Sequence, residues 1–183
     1  MQTEKISVAN KVSWVLLIIY LIALLWIIVF KMHVSFAYMH GARSINLVPF
    51  SRPLVLNGKV DYGENILNVL IFIPLGIYSA ILFNRWNNGK KIFFFFLTSL
   101  FCETSQLILN IGAFDITDLI TNTVGGIIGL LLFKGLEKLF NSSVKAQIFI
   151  NIIAVIATTI MIVLLFLLKT NNLWIHGRRL RYQ

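Results

Sequence analysis

The sequence predicts an all-α integral membrane bundle of five transmembrane helices. Three observations lead there. Of 183 residues, 58% are hydrophobic and only 13% are charged, against about 45–50% and about 25% for ordinary soluble domains. Mean hydropathy is +0.84. Five apolar runs approach or exceed the roughly 20 residues that a helix needs to cross a bilayer.

The first run, Ser13 to Phe30, carries no charge. Lys5 and Lys11 precede it, as in a signal peptide. Its apolar stretch exceeds the roughly 7–15 residues of such a leader, and no small-x-small cleavage site follows. It is read as a retained helix ending near Lys31-Met32-His33. The second run is Asn65 to Phe83, in which Pro74 and Gly76 mark a kink or weak point that neighbouring helices would have to satisfy. The third is Lys91 to about Leu109 and holds the block Phe93-Phe94-Phe95-Phe96. The fourth is Leu119 to Phe133, extending to Phe140 at an interface. It contains Gly125-x-x-x-Gly129, a spacing that lets helices approach closely. The fifth is Ala146 to Leu168. The length suits one membrane domain over residues 1–183.

Net charge is +9. The bases cluster at the ends of the apolar runs, where they read as topology anchors and contacts to lipid headgroups rather than to nucleic acid. Membrane lipids are therefore the expected partners. Orientation is nearly balanced. One side carries Lys5, Lys11, Arg85, Lys90, Lys91, Lys134, Lys138 and Lys145. The other carries Lys31, Arg43, Arg52, Lys59, Lys169, Arg178, Arg179 and Arg181. Short loops count most in the positive-inside rule, and both short basic loops are on the first side, which leans toward an inside amino terminus. The basic tail argues the other way.

Polar residues are costly in hydrocarbon, so those within or beside the spans are the functional lead. Glu103 and Gln106 share a helix face in the third span. Asp115, Asp118 and Asn122 follow at spacings of three and four, aligned if the fourth helix extends that far back. With five spans, the start of the second (Asn65, Asn68), the end of the third and the start of the fourth meet on one side. Glu103 would lie roughly 10 Å deep, about two turns in. For Asp115 and Asp118 the plain alternative is helix capping. For Glu103 it is an internal ion pair or a protonated acid held by hydrogen bonds. The first loop, Arg43-Ser44-Ile45-Asn46-Leu47-Val48-Pro49-Phe50, is too short to span and reads as an interfacial or re-entrant segment over that end. Arg43 and Arg52 are read as partners of these carboxylates, as lipid-phosphate ligands, or as interfacial anchors.

Several chemistries lack their signatures: there is no Gly-x-Ser-x-Gly, His-Glu-x-x-His or Cys-x-x-Cys. His33, His40 and His176 lack metal spacing, and the lone Cys102 cannot form an intrachain disulfide. No cofactor or metal is expected, and an enzymatic role is left open.

Four segments in order carry a family resemblance: Asn46-Leu47-Val48-Pro49-Phe50; Asn68 through Gly76; Glu103-Thr104-Ser105-Gln106; and Gly112 through Gly126. Across residues 42–140 they resemble the VanZ-like family of bacterial membrane proteins, and the flanking helices at 13–30 and 146–168 fit too. The resemblance implies a bacterial cytoplasmic membrane location and, for close relatives, low-level resistance to teicoplanin-type lipoglycopeptides. It supplies no catalytic residues.

The candidate binding residues Arg43, Asn46, Asn68, Gln106, Asp115 and Asn122, with Glu103 and Asp118 as candidate catalytic groups, rest on the physical argument. Three functions fit them. One is a non-enzymatic envelope protein that limits access of a lipoglycopeptide. Another is an enzyme on a lipid-linked envelope precursor, with Glu103 and Asp118 as acid–base pair and Arg43 holding phosphate. The last is a small transporter or flippase accessory. The oligomeric state is open, since Gly125-x-x-x-Gly129 could also serve between chains.

Overall fold

The computed structural model describes residues 2–29, 44–51, 54–56, 59–109 and 112–179. Its order is α1 (Gln2–Val29), β1 (Ile45–Asn46), β2 (Leu54–Leu56), β3 (Lys59–Asp61), α2 (Gly63–Leu82), α3 (Asn88–Ile108), β4 (Phe114–Asp115), α4 (Ile116–Phe140) and α5 (Ser143–Arg179). All five helices are long and apolar enough to cross a membrane. The chain is an all-α, multi-pass membrane bundle.

Four helices, α2 to α5, start two or three residues before their apolar runs, because polar residues supply the first turn; α1 starts at Gln2, well before Ser13. Asn87 caps α3 by accepting from Lys90 N–H at 2.8 Å. Asp115 caps α4 by accepting from Thr117 N–H at 2.7 Å. Such caps satisfy backbone donors that the helix cannot. At the other end of α4, Asn141 adopts a left-handed conformation (φ 48°) and turns the chain into α5. Within the spans, hydroxyls bond back to carbonyls four residues earlier: Thr98 to Phe94, Thr104 to Leu100, Thr123 to Leu119. That pairing lets them sit in apolar surroundings.

Pro74 does not break α2, which runs continuously through it. In the turn before the proline, Tyr20 of α1 donates to the carbonyl of Ile71 at 2.8 Å. A neighbouring helix thus supplies a donor beside the group that Pro74 frees.

The tightest packing joins α2 to α4. A Cβ on Gly125 would collide with the carbonyl of Val69, one on Gly129 with the carbonyl of Ile73, and one on Gly76 with the backbone of Gly126. The Gly125-x-x-x-Gly129 face is therefore used inside the chain. Next to it, Gly126 lies under the ring of Phe95 from α3. Phe95, Phe72, Leu75 and Cys102 form the centre of the core, with Leu16, Leu17 and Leu24 of α1 packed on it.

At the end of the bundle where α1 and α5 begin, a buried polar network joins those two helices. Ser13 Oγ donates to Asn151 Oδ1 (2.9 Å), Gln147 Nε2 to Asn10 Oδ1 (2.9 Å) and to Ser13 Oγ (3.0 Å), and Asn151 Nδ2 to the Ala9 carbonyl (3.1 Å). Interhelical pairs of this kind contribute roughly 0.6–2 kcal/mol each in membranes. An aromatic cluster of Trp14, Phe83, Trp86 and Phe94 lies nearby, as amphipathic rings do at a membrane–water boundary.

Gly129→Val should lower stability by about 1–3 kcal/mol or more, the cost of overpacking, and reduce membrane accumulation. A Cβ on Gly135 would meet nothing within 4 Å, so Gly135→Ala should leave the protein unharmed. Thermal unfolding of both variants in detergent checks the pair.

Candidate functional site

The polar residues of four segments meet at the opposite end. They do so because α2 and α4 begin there, α3 ends there, and the first loop crosses over them. The loop is tied down by its backbone. β1 and β4 form a short parallel pair, matching Ile45 with Phe114 and Asn46 with Asp115. Phe114 N–H also donates to the Ser44 carbonyl at 3.0 Å. A two-residue parallel pairing between distant loops leaves no periodic signal, so sequence reasoning does not find it.

Asp115 is the hub. Its Oδ1 caps α4, while its Oδ2 accepts from Asn46 Nδ2 at 3.0 Å. Its own N–H donates to Glu103 Oε2 at 3.1 Å. One residue thus links the loop, the end of α3 and the start of α4. Asn46, buried beneath the loop, also turns that loop on itself. Its Oδ1 accepts from Ser51 Oγ (2.9 Å) and from Val48 N–H (3.3 Å).

Asp118, in the first turn of α4, accepts from Asn68 Nδ2 of α2 at 2.8 Å. Capping accounts for one oxygen of Asp115, Oδ1; the bond from Asn68 makes Asp118 a tie between helices. Both carboxylates lie where the α4 dipole favours negative charge. Glu103 is 1% exposed and Gln106 is also buried, both on the face of α3 turned inward. Gln106 packs on Gly112 of the next loop, where a Cβ would sit 3.1 Å from Gln106 Oε1. Deeper, Asn122 Nδ2 donates to Ser99 Oγ at 2.9 Å, and both residues are fully buried. Asn122 Oδ1 has no hydrogen-bond partner among the described residues. Arg43 and Arg52 lie outside the described residues.

Asn46, Asn68, Glu103, Gln106, Asp115, Asp118 and Asn122 therefore fall in one continuous region. Ser99 and Thr117 escape sequence reasoning. Ser99 sits four residues before Glu103 on the same face, a spacing that could have marked it. Thr117 accepts from Phe50 N–H at 3.0 Å, which no local pattern reveals. No group of three or more His, Cys, Asp or Glu side chains among the described residues is arranged to hold a metal.

Among the described residues, one stretch of the loop at this end presents apolar side chains. Leu47, Val48 and Phe50 all point outward, Phe50 at 59% exposure. Phe50 has a positive φ of 56°, a conformation that is unfavourable for a bulky side chain. The Thr117 hydroxyl holds it there through the Phe50 N–H. Strain maintained by surrounding hydrogen bonds is characteristic of positions with a task to perform.

A model of the family described as VanZ/LLP1 matches residues 17–141. The chain belongs to the VanZ/LLP1 family. Protein VanZ of Enterococcus faecium is 37% identical over 145 residues, covering 77% of this chain and 86% of that relative. No solved structure matches the chain. Every hydrogen bond described for the polar end lies inside the VanZ/LLP1 segment. The α1–α5 network lies outside it, since Ala9, Asn10, Ser13, Gln147 and Asn151 all fall beyond residues 17–141.

Asn46→Asp should place a second carboxylate against Asp115 in nearly the same shape. The expected cost is about 1–3 kcal/mol, the range for a buried group left unmatched. Limited proteolysis within residues 44–51 should accelerate in membranes that carry this variant, while cleavage in the α4–α5 turn stays unchanged.

Proposed function

We propose that this chain is a non-enzymatic envelope protein of a bacterial cytoplasmic membrane that lowers susceptibility to teicoplanin-type lipoglycopeptides. The observation that carries the reading is the exposed apolar rim Leu47-Val48-Phe50, tied from below by the Asn46–Asp115–Glu103 chain and by Thr117. Membership of the VanZ/LLP1 family supports it. A lipoglycopeptide differs from its non-lipidated relatives by an acyl chain. A fixed apolar edge at the outer membrane boundary can engage that chain and hold the drug away from its membrane-proximal target. The polar residues then act as a frame, which explains why so many of their donors and acceptors are spent on the loop and on each other. The inside amino terminus favoured by the short basic loops would turn this end outward.

A second reading is an enzyme acting on a lipid-linked precursor, with Glu103 and Asp118 as acid and base. Asn122 Oδ1, one turn below Asp118 on α4 and without a hydrogen-bond partner among the described residues, favours it: a buried acceptor is a polar group that the frame itself does not use. Under this reading Glu103 must exchange a proton, so its amide replacement is inactive.

Teicoplanin and vancomycin susceptibility in one susceptible Gram-positive host separates the two, with membrane levels matched. The wild type should raise tolerance to teicoplanin more than to vancomycin. Glu103→Gln and Asp118→Asn should protect to within about twofold of wild type, since each keeps the shape and one hydrogen bond is a small term. Phe50→Asp, whose side chain tolerates positive φ, should lose protection. Equal protection against both drugs would sink the acyl-chain reading. Loss of protection in Glu103→Gln at unchanged protein level would transfer support to the enzyme.

A further inference from the structure

Depth in the bilayer can be counted along three helices. Trp14, Phe83 and Trp86 pack together at one end of the bundle, as aromatic residues do at a membrane–water boundary. Asn68 precedes Phe83 by fifteen residues, so it lies roughly 22 Å from that boundary at about 1.5 Å per residue. A hydrocarbon core about 30 Å thick leaves Asn68 about 8 Å short of the far edge. In α4, Lys134 is an exposed base that marks the same near boundary. Asp118 stands sixteen residues before it, roughly 24 Å away and about 6 Å short of the far edge. The two counts use different anchors, and the hydrogen bond from Asn68 to Asp118 requires them to agree. In α3, Glu103 stands fifteen residues after Asn88 at the helix start, which again leaves it about 8 Å short of the far edge.

The first loop is fastened at these levels. Phe50 N–H donates to Thr117, the neighbour of Asp118. Asn46 pairs with Asp115, whose N–H donates to Glu103. The loop therefore lies a few ångströms beneath the far hydrocarbon edge. Its backbone suits a place without water. Val48 N–H donates to Asn46 Oδ1 (3.3 Å), Phe50 N–H to Thr117 Oγ1 (3.0 Å) and Ser51 N–H to the Val48 carbonyl (3.3 Å). Pro49 has no N–H to satisfy. Every backbone donor from Val48 to Ser51 is thus bonded within the protein, as irregular backbone at membrane depth requires. A loop in water could leave such donors to solvent. The side chains agree: Asn46 is buried, while Ile45, Leu47, Val48 and Phe50 are exposed. At the same level of α2, Ile66, Leu67 and Leu70 also face outward, so the rim continues a lipid-facing surface.

We propose that residues 45–50 form a re-entrant segment, with Ile45, Leu47, Val48 and Phe50 in contact with the acyl chains of phospholipids in the leaflet at this end. Of the interfacial and re-entrant readings of this loop, depth selects the second. The inference stands apart from the resistance reading. Where that reading holds, it adds that a lipidated drug meets the rim after its acyl chain has entered the leaflet.

The test places a nitroxide spin label on single introduced cysteines in the full-length protein, reconstituted in phosphatidylcholine vesicles. Collisions with oxygen, which concentrates in hydrocarbon, are compared with collisions with a water-soluble nickel chelate. Cys102 is buried, and wild type treated with the label gives the background. Leu70→Cys is the lipid reference and Lys145→Cys the aqueous one, since both side chains are exposed. At Leu47→Cys and Val48→Cys the oxygen-to-nickel ratio should exceed that at Lys145→Cys at least about tenfold, a preference worth about 1.4 kcal/mol or more. It should resemble the ratio at Leu70→Cys. A smaller excess overturns the proposal by placing the rim in water or among headgroups. Low access to both reagents also overturns it, because the rim is then covered by protein. Teicoplanin susceptibility is read separately, so failure of the resistance reading leaves this result standing.

Discussion

Close backbone approach between α2 and α4 sets the geometry on which the rest of the protein depends. Gly76, Gly125 and Gly129 bring the two helices together until carbonyls of one lie where side chains of the other would be. In a bilayer there is no hydrophobic force between helices, so association relies on such packing and on polar ties. The short separation has a direct consequence one to two turns away. It brings Asn68 within 2.8 Å of Asp118. It also leaves Gly126 as the floor on which Phe95 rests. Ser99, one turn further along α3, is then positioned to meet Asn122. Packing therefore comes first, and the polar end is built on it.

That end also shows how a membrane protein accommodates carboxylates cheaply. Asp115 is placed at a helix start, where backbone donors and the dipole stabilise it. Its second oxygen and its own amide are then used to bind the loop and Glu103. Asp115 thus both caps α4 and ties the loop to it. The same side chain that begins α4 fixes the position of Asn46, and Asn46 fixes the turn that exposes Val48 and Phe50. Asp115 is therefore joined to Val48 and Ser51 through Asn46 by two hydrogen bonds in succession.

The spans were legible because composition alone signals them: twenty apolar residues in a row need no knowledge of neighbours. The meeting of Asn68, Glu103 and Asp118 was legible for a related reason. Counting crossings puts the ends of helices on defined sides, and polar residues in hydrocarbon require company. What the sequence hid depends on pairing across distance. The weak point expected at Pro74 is bridged, because Tyr20, in another helix, meets the neighbouring carbonyl. The β1–β4 pairing involves two residues per strand and sixty-nine positions of separation between Asn46 and Asp115. Ser13, Gln147 and Asn151 look like ordinary polar residues near span ends, since only the fold shows that α1 and α5 start side by side.

These differences divide the bundle into two ends with unlike physics. At the end where α1 and α5 start, amides and a serine bond one another in a closed network, with aromatic rings alongside. The left-handed residue there, Asn141, is of a type that tolerates the conformation. At the other end, carboxylates and amides hold a loop in an unfavourable backbone conformation with apolar side chains turned outward. A loop that served only to connect α1 and α2 would gain nothing from a phenylalanine at positive φ, where glycine or asparagine would sit without strain. The strain is maintained by hydrogen bonds that originate in three separate segments. The Phe50 backbone is thus held from α4 while its side chain stays exposed.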